Sequence, residues 1–205
     1  MQVRFDLSGN QGTLLQTVAG ERDLRAATRA ASVLLLAVMT AAAAQVSVPL
    51  PFTPVPFTLQ PMVVLLGGAV LGSRLGLAAQ VVYLLAGIAG LPVFAASPVL
   101  PQGLLRLLGP TGGYLMSYPL AAFVTGLLAE RGFDRRYVTS VLAMAAGLLL
   151  VFGCGVLWLA FSGRPAIGMV AALEAGFFPF IPADVFKILV AAAVMPALWR
   201  LTRAR

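Results

Sequence analysis

Long apolar runs constrain the fold of this chain more than any other feature. A helix needs about 20 apolar residues to cross about 30 Å of hydrocarbon. Six runs approach or reach that length, and they cover residues 30–47, 59–73, 75–91, 111–129, 138–161 and 183–199. They leave no room for a soluble domain. The sequence therefore predicts an all-α integral membrane protein, a compact bundle of six transmembrane helices. The run at 59–73 is short, and we expect its helix to be tilted or only partly inserted.

The charged residues support this class and predict the orientation. Only 10% of the residues are charged, against about 25% in soluble domains. If the N-terminus is cytoplasmic, eleven arginines lie on the cytoplasmic side and two, Arg106 and Arg164, lie outside. By the positive-inside rule both termini are then cytoplasmic. The net charge of +7 is thus a topology signal, and we expect no nucleic-acid partner.

Three sections follow from this topology. We predict a cytoplasmic N-terminal segment at 1–29, a six-helix membrane domain at 30–199 and a basic cytoplasmic tail at 200–205. The alanines that end the first run are similar to a signal-peptide cleavage site. However, the 29 residues before that run exceed an ordinary signal-peptide n-region, so we expect no cleavage.

Missing residue types exclude several kinds of chemistry. The chain has no histidine and one cysteine, Cys154, which removes histidine-based catalysis and most metal sites. It also lacks a P-loop motif. We therefore predict no enzyme activity, no catalytic residues, no metal and no cofactor. Any ATP-driven role requires other subunits.

Prolines concentrate in the predicted outer loops. Eleven of the 14 prolines lie there, and the predicted inner connections contain none. Proline fixes φ and removes a backbone donor, so these Pro-rich outer loops are expected to be stiff. Their apolar segments, such as Val55–Phe57 and Gly176–Phe180, favour a shaped pocket over ordinary exposed connectors.

One charged pair is the strongest candidate for a functional site. Asp184 and Lys187, the only lysine, lie three positions apart at the start of the last run, so they share one helix face. Each charge costs about 2.5–3.5 kcal/mol at a bilayer centre. Such a pair binds a ligand or forms an internal salt bridge with only a structural role. An acid–base enzyme pair is a third interpretation, but no nucleophile or second carboxylate accompanies it.

Other candidates are polar or aromatic residues near the same side. Gln80 and Tyr83 share a face of the third run and either reach the pocket or form interhelical hydrogen bonds. Thr111 and Gly112 begin a helix whose free N–H groups suit a polar ligand edge. Aromatic walls are expected from the following residues, although aromatics at the membrane interface give the same pattern: Phe57, Tyr114 and Phe178.

Four segments resemble the BioY family, the biotin-binding substrate components of energy-coupling-factor transporters. Pro54–Gln60 is similar to the first outer loop of that family. Tyr83–Phe94, Leu108–Tyr114 and Pro179–Lys187 are similar to its third helix and loop entry, its fourth-helix start and its sixth helix. The matches occur in the family's order and cover most of residues 35–195.

Two positions depart from the family pattern. Ala95–Pro101 replaces a glycine-rich stretch and is a few residues longer, which puts the cover over the ligand in question. Ala183 replaces the glycine of a Pro-Gly-Asp motif. We expect alanine to be tolerated there if Ala183 is helical.

The resemblance implies high-affinity biotin capture and uptake across the cytoplasmic membrane of a bacterium or archaeon. Asp184 would accept the ureido N–H groups and Lys187 would donate to the ureido oxygen. Arg106 is assigned to the biotin carboxylate, the alternative being a solvated loop charge. A component for another small vitamin or metabolite is the alternative function.

The resemblance also implies partner subunits. The partners would be a membrane coupling subunit and ATP-binding subunits. Small-residue faces let membrane helices approach closely, and Ala37 and Ala41 match the spacing of the family's coupling-subunit motif. Internal packing is the equally open alternative for these two alanines.

Overall fold

The computed structural model describes residues 26–97 and 101–203. Six helices coincide with the six predicted runs, and two short helices, one 3₁₀ turn and a two-stranded hairpin lie between them. In chain order the elements are α1 Ala26–Gln45, β1 Ser47–Val48, β2 Phe57–Thr58, α2 Gln60–Leu71, α3 Ser73–Ile88, α4 Leu104–Leu108, α5 Gly112–Glu130, the 3₁₀ turn Phe133–Arg135, α6 Tyr137–Phe161, α7 Met169–Gly176 and α8 Ile181–Arg203. β1 and β2 pair in antiparallel fashion.

Four of the described helices are long and apolar enough to cross a membrane, namely α1, α5, α6 and α8. The chain is therefore a mostly helical, multi-pass membrane protein. At 1.5 Å per residue, the 12 residues of α2 and the 16 residues of α3 reach only about 18 Å and about 24 Å. The sequence had already indicated that the run at 59–73 is short. The number of membrane-spanning helices, six, stays a prediction.

The predicted section boundaries fall inside helices. Residues 26–29, assigned to the N-terminal segment, form the first turn of α1, and residues 200–203, assigned to the tail, continue α8. The remainder of both sections lies outside the described residues. The three-section division therefore stays a prediction.

Glycines place α5 at the centre of the bundle. It packs against α2, α3 and α6. A Cβ on Gly126 would lie 2.5 Å from the Ser73 nitrogen, and one on Gly113 would lie 2.2 Å from the Trp158 Cβ. These contacts are closer than any side chain permits. The small residues of α5 thus let its neighbours approach to backbone distance.

Three long connections, 46–59, 89–111 and 162–180, meet at one end of the bundle, which we call the loop end. Side chains tie each connection to a distant backbone carbonyl. The Thr53 hydroxyl donates to the Ala175 oxygen at 2.6 Å. The Trp158 indole donates to the Gly109 oxygen at 2.9 Å. These bonds join the first connection to the third and the second connection to α6.

A buried carboxylate, that of Asp134, lies at the end of the bundle opposite the loop end. The Trp199 indole donates to Asp134 Oδ2 at 2.6 Å, and the Arg135 guanidinium lies 4.9 Å from the Trp199 ring centroid. Burial raises the pKa of the Asp134 carboxyl, while the Trp199 hydrogen bond acts to lower it. This contact fixes the last turns of α8 against the connection between α5 and α6.

Glu130 caps a helix that has no cap of its own. Its Oε1 accepts hydrogen bonds from the Ser73 N–H at 2.8 Å and the Ser73 hydroxyl at 2.9 Å, because Gly72 offers no side chain at the start of α3. We expect Glu130→Ala to lower the free energy of unfolding by about 1–2 kcal/mol. Thermal unfolding in detergent measures this as a midpoint several degrees lower.

The control for this variant is Glu174→Ala, since Glu174 is exposed and accepts no hydrogen bond from the described residues. Its midpoint should equal that of the wild type. Equal midpoints for both variants would contradict the capping role of Glu130.

Candidate ligand-binding site

The charged pair lies buried in the first turns of α8. Asp184 is 4% exposed and Lys187 is 6% exposed, and the Lys187 Nζ lies 2.5 Å from Asp184 Oδ1. Pro182 is the second residue of the helix, where its missing N–H costs nothing. Ala183 is helical, which meets the condition for tolerating alanine at this position. The two charges therefore share a face and point into the bundle near the loop end.

Lys187 contacts two further groups of the protein. Its Nζ donates to the Thr58 carbonyl oxygen at 2.6 Å and lies 3.6 Å from the Phe57 ring centroid. An ammonium has three N–H donors and binds readily to aromatic faces. Its donors are thus directed at Asp184, at β2 and at the Phe57 ring. Lys187 joins α8 to the first connection.

Two neighbouring cavities, each of about 40 Å³, occupy this region. We call the one lined by Asp184 and Lys187 the pair cavity, and the one lined by Arg106 the arginine cavity. Both are large enough for water-sized molecules but lie far below the roughly 300–1,000 Å³ of ordinary ligand pockets. The residues that line both cavities form the partition between them: Val55, Pro56, Thr58, Tyr114 and Tyr118.

Arg106 is a buried cation with free donors. Its side chain is 2% exposed, so the alternative interpretation of Arg106 as a solvated loop charge is wrong. Its Nη2 donates a hydrogen bond to the Ala95 oxygen, but its Nε and Nη1 have no hydrogen-bond partner among the described residues. Burial lowers the pKa of Arg106, whose ordinary value lies so far above neutrality that the group stays protonated. The Thr111 hydroxyl lines the same cavity and is also unpartnered. This arrangement suits an anion.

The two candidate residues of α3, Gln80 and Tyr83, line neither cavity. The Tyr83 hydroxyl accepts from the Gln60 amide at 2.6 Å and donates to the Val93 oxygen at 3.3 Å. Tyr83 thereby orients Gln60, which does line the arginine cavity. Gln80 donates to the Thr40 hydroxyl on α1 at 3.1 Å. For Gln80 the structure favours the interhelical hydrogen bond.

The start of α5 is packed rather than open. The Gly112 N–H donates to the Gly109 oxygen, and a Cβ on Gly112 would lie 1.8 Å from the Leu107 oxygen. Gly112 therefore serves close packing instead of offering a free N–H. Tyr114 lines both cavities, and its hydroxyl donates to the Gly176 oxygen at 2.8 Å.

Phe178 is not a wall of either cavity. It is 58% exposed, because the turn after α7 directs Phe177 inward, against Phe152 at a centroid distance of 5.1 Å. Phe152 and Phe180 line the pair cavity instead. Phe57 lines neither cavity and contacts the Lys187 ammonium instead, so its contact with a ligand stays a prediction.

The sequence prediction missed Gln60 and Tyr118. Gln60 is a polar residue at the start of an apolar run, and Tyr118 lies one helical turn after Tyr114 on the same face. Both signals were present but are common among residues that only pack.

The alanine face of α1 points into the bundle. Ala37 is buried in the core and Ala41 is partly buried against it, and α1 packs on α2 and α3. This arrangement favours internal packing for Ala37. The exposed side of α1 carries larger apolar residues, among them Leu35 and Val38. A contact with a coupling subunit stays a prediction.

Among the described residues, no group of three or more His, Cys, Asp or Glu side chains is placed to hold a metal ion. The two cavities offer charged side chains, aromatic faces and unpartnered hydrogen-bonding groups.

Comparisons with known proteins give consistent results. The model of the BioY family matches residues 15–204. A probable biotin transporter BioY of Pyrococcus horikoshii is 39% identical over 166 residues, which are 81% of this chain and 93% of that protein. The biotin transporter BioY of Thermotoga maritima is 40% identical over 152 residues, 74% of this chain and 85% of that protein.

A solved structure shares the fold. It is the S-component for biotin from an ECF-type ABC transporter, and its TM-score with this chain is 0.74. The likeness covers 87% of this chain and 95% of that chain at 22% sequence identity. The fold of this chain, with two short and four long apolar helices, is thus similar to that of the solved structure.

Proposed function

The chain belongs to the BioY family, and we propose that it captures biotin and takes it up across the membrane as the substrate-binding component of an energy-coupling-factor transporter. The observation that carries the proposal is that the pair cavity and the arginine cavity, which together form the site, present different charged groups. A carboxylate paired with an ammonium lines one cavity, and a guanidinium with free N–H groups lines the other.

Biotin has matching groups at its two ends. Its head is a flat ureido group with two N–H donors beside one carbonyl, and its apolar chain ends in a carboxylate. Asp184 Oδ1 bonds to Lys187, while Oδ2 accepts no hydrogen bond from the described residues and is free for a ureido N–H. Arg106 and Thr111 then receive the carboxylate. Charge-assisted hydrogen bonds of this kind are strong in a dry site.

The partition residues supply the apolar middle and the cover. Each cavity alone is too small for biotin, so binding requires that the partition shift and join them. Val55 and Pro56 are the partition residues that we propose to move, since they belong to a connection rather than a helix. The Thr53 hydrogen bond to Ala175 holds that connection in place. We propose that the first connection acts as a lid.

Energy for uptake comes from other subunits in this proposal. The sequence contains no P-loop, so ATP-binding subunits and a membrane coupling subunit complete the transporter. The arginine distribution supports six spans with both termini cytoplasmic. The membrane domain then extends over 30–199, between a cytoplasmic N-terminal segment and a basic tail.

Titration calorimetry on the detergent-purified chain tests the function. We expect biotin to bind with a dissociation constant below about 1 μM. Desthiobiotin should also bind, because it retains the ureido group and the carboxylate. Thiamine, which has neither, should not bind. A monodisperse protein that binds no biotin would overturn the assignment and leave another small vitamin as the ligand.

A further inference from the structure

A further cavity lies between α1 and α2, and we call it the α1–α2 groove. Its volume is about 280 Å³, which is larger than the pair cavity and the arginine cavity combined. Ser32 is the one lining residue with a polar side chain, and its hydroxyl donates to the Thr28 oxygen at 2.9 Å. The other lining residues are Leu35, Leu36, Met39, Val63, Leu66, Gly67, Val70 and Leu71. The groove therefore suits an apolar occupant.

The groove is narrow because the two helices touch at its floor. A Cβ on Gly67 would lie 2.2 Å from the Cδ1 of Leu36, which is buried. Leu35 and Met39 are exposed and stand at the rim. Between Ser32 and Met39 the groove extends about 10 Å along α1. A helix is about 10–12 Å across, so a helical segment of that length needs far more than 280 Å³. An unbranched acyl chain, one carbon wide, fits this space.

Two arginines lie at the end of the groove that is opposite the loop end. Arg29 precedes Ser32 by three positions on α1, so the two residues share a helix face. Arg74 follows Leu71 by three positions, in the first turn of α3. Both arginines are exposed, and neither forms an ion pair with a residue of the described ranges. Two cations are thus available at the mouth of an apolar groove.

The neighbouring helices supply no anion to these arginines. The segments that form α1, α2 and α3 contain no aspartate or glutamate. The Glu130 carboxylate lies at the start of α3, but it accepts hydrogen bonds from Ser73 and forms no ion pair with Arg74. By the predicted orientation this end is cytoplasmic, where membranes carry anionic lipids and basic pockets between helices bind their headgroups. The two arginines are therefore complementary to a lipid phosphate.

We infer that the α1–α2 groove binds one anionic phospholipid, with an acyl chain in the groove and the headgroup phosphate between Arg29 and Arg74. Acyl chains of the bilayer touch every outward face of a membrane protein without a choice of headgroup. Here the apolar contacts and the two charges act on the same molecule. The groove shares no lining residue with the pair cavity or the arginine cavity, so this lipid site is independent of the transported ligand.

Native mass spectrometry of the full chain tests the headgroup contact. The protein is released from detergent that contains phosphatidylglycerol or phosphatidylcholine with the same acyl chains. The wild type should retain one phosphatidylglycerol and prefer it about thirtyfold over phosphatidylcholine, the effect of two arginines near a charged headgroup. Arg29→Gln/Arg74→Gln should lose this preference. Arg131→Gln/Arg136→Gln removes two exposed arginines from the same end and should keep it.

A second pair of variants tests the acyl-chain contact. Met39→Trp places an indole in the groove, and the retained phosphatidylglycerol should be lost, because van der Waals packing is what holds a chain within a membrane. Val38→Trp is the matched control, since Val38 is exposed on the same helix but does not line the groove. Without added lipid, all these variants should unfold at the midpoint of the wild type, because the substituted side chains are exposed.

A soluble anion separates a lipid from a free phosphate. Glycerol phosphate carries the headgroup charge without acyl chains and should not displace phosphatidylglycerol. Displacement by glycerol phosphate would show an anion site that does not need the groove, and this overturns the inference.

Three further results would also overturn it. Equal retention of the two lipids by the wild type, or retention of neither, would show ordinary bilayer contact. Equal loss of preference in both arginine pairs would show a general attraction between charges. A folded Met39→Trp variant that retains phosphatidylglycerol like the wild type would show that no acyl chain lies in the groove, and would leave it to a partner subunit or a second copy of the chain.

Discussion

Asp184→Asn is expected to weaken biotin binding by about a hundredfold, because it removes the charge that accepts the ureido N–H group. The same change leaves the Lys187 ammonium buried without its anion. Breaking a buried ion pair costs about 3–5 kcal/mol of stability. Calorimetry measures the first effect, and thermal unfolding in detergent measures the second.

The double variant Asp184→Leu/Lys187→Met separates binding from folding. It removes both charges and replaces them with apolar side chains, so its unfolding midpoint should recover toward that of the wild type. Its affinity for biotin should stay as low as that of Asp184→Asn. A double variant that binds biotin like the wild type would show that the pair is only a structural salt bridge.

Arg106→Gln is expected to weaken biotin binding by about a hundredfold, through loss of a charge-assisted contact with the carboxylate. Biotin methyl ester, which has no carboxylate charge, should bind the variant and the wild type almost equally. Calorimetry with both ligands measures the difference. Arg164→Gln is the matched control, because Arg164 is the exposed arginine among the loop-end connections and should leave both affinities unchanged.

The alternative for Arg106 is a purely structural role through its hydrogen bond to Ala95. In that case Arg106→Gln would loosen the second connection and weaken the acid and the ester to the same extent. Equal losses for the two ligands would therefore contradict the assignment of the carboxylate to Arg106.

The six helices were predictable because each coincides with an apolar run, four of them long and two shorter. Hydropathy located α1, α5, α6 and α8 to within a few residues, since a membrane demands length and composition together. The same signal missed α4 and α7. These helices have 5 and 8 residues and lie inside connections, where too few turns exist to show a periodicity.

The ion pair of Asp184 and Lys187 was predictable because it is local: residues three apart share a helix face. The hydrogen bond from Lys187 to the Thr58 carbonyl could not be predicted from the sequence. Its acceptor is a backbone carbonyl 129 positions away, and a carbonyl is present at every residue. Such a contact leaves no trace in the sequence.

The sequence left the orientations of Gln80 and Phe178 open for a different reason. Lipid and protein interior are both apolar, so hydropathy does not tell which side of a membrane helix faces its neighbours. Gln80 faces α1 instead of the ligand site. Phe178 lies beside Phe177 in a turn, and only one of two adjacent rings turns inward there.

The bonds that hold the loop end have one property in common: their acceptors are main-chain carbonyls. The residues that supply them are Thr58, Ala175 and Gly176. A carbonyl stays in place when its own side chain is exchanged, but it moves when the chain gains or loses a residue. Exchanging the side chains of Thr58, Ala175 and Gly176 therefore leaves these acceptors in the chain, whereas an insertion or deletion beside them displaces the carbonyl itself. Engineers seeking new ligand preferences should substitute residues there and avoid insertions.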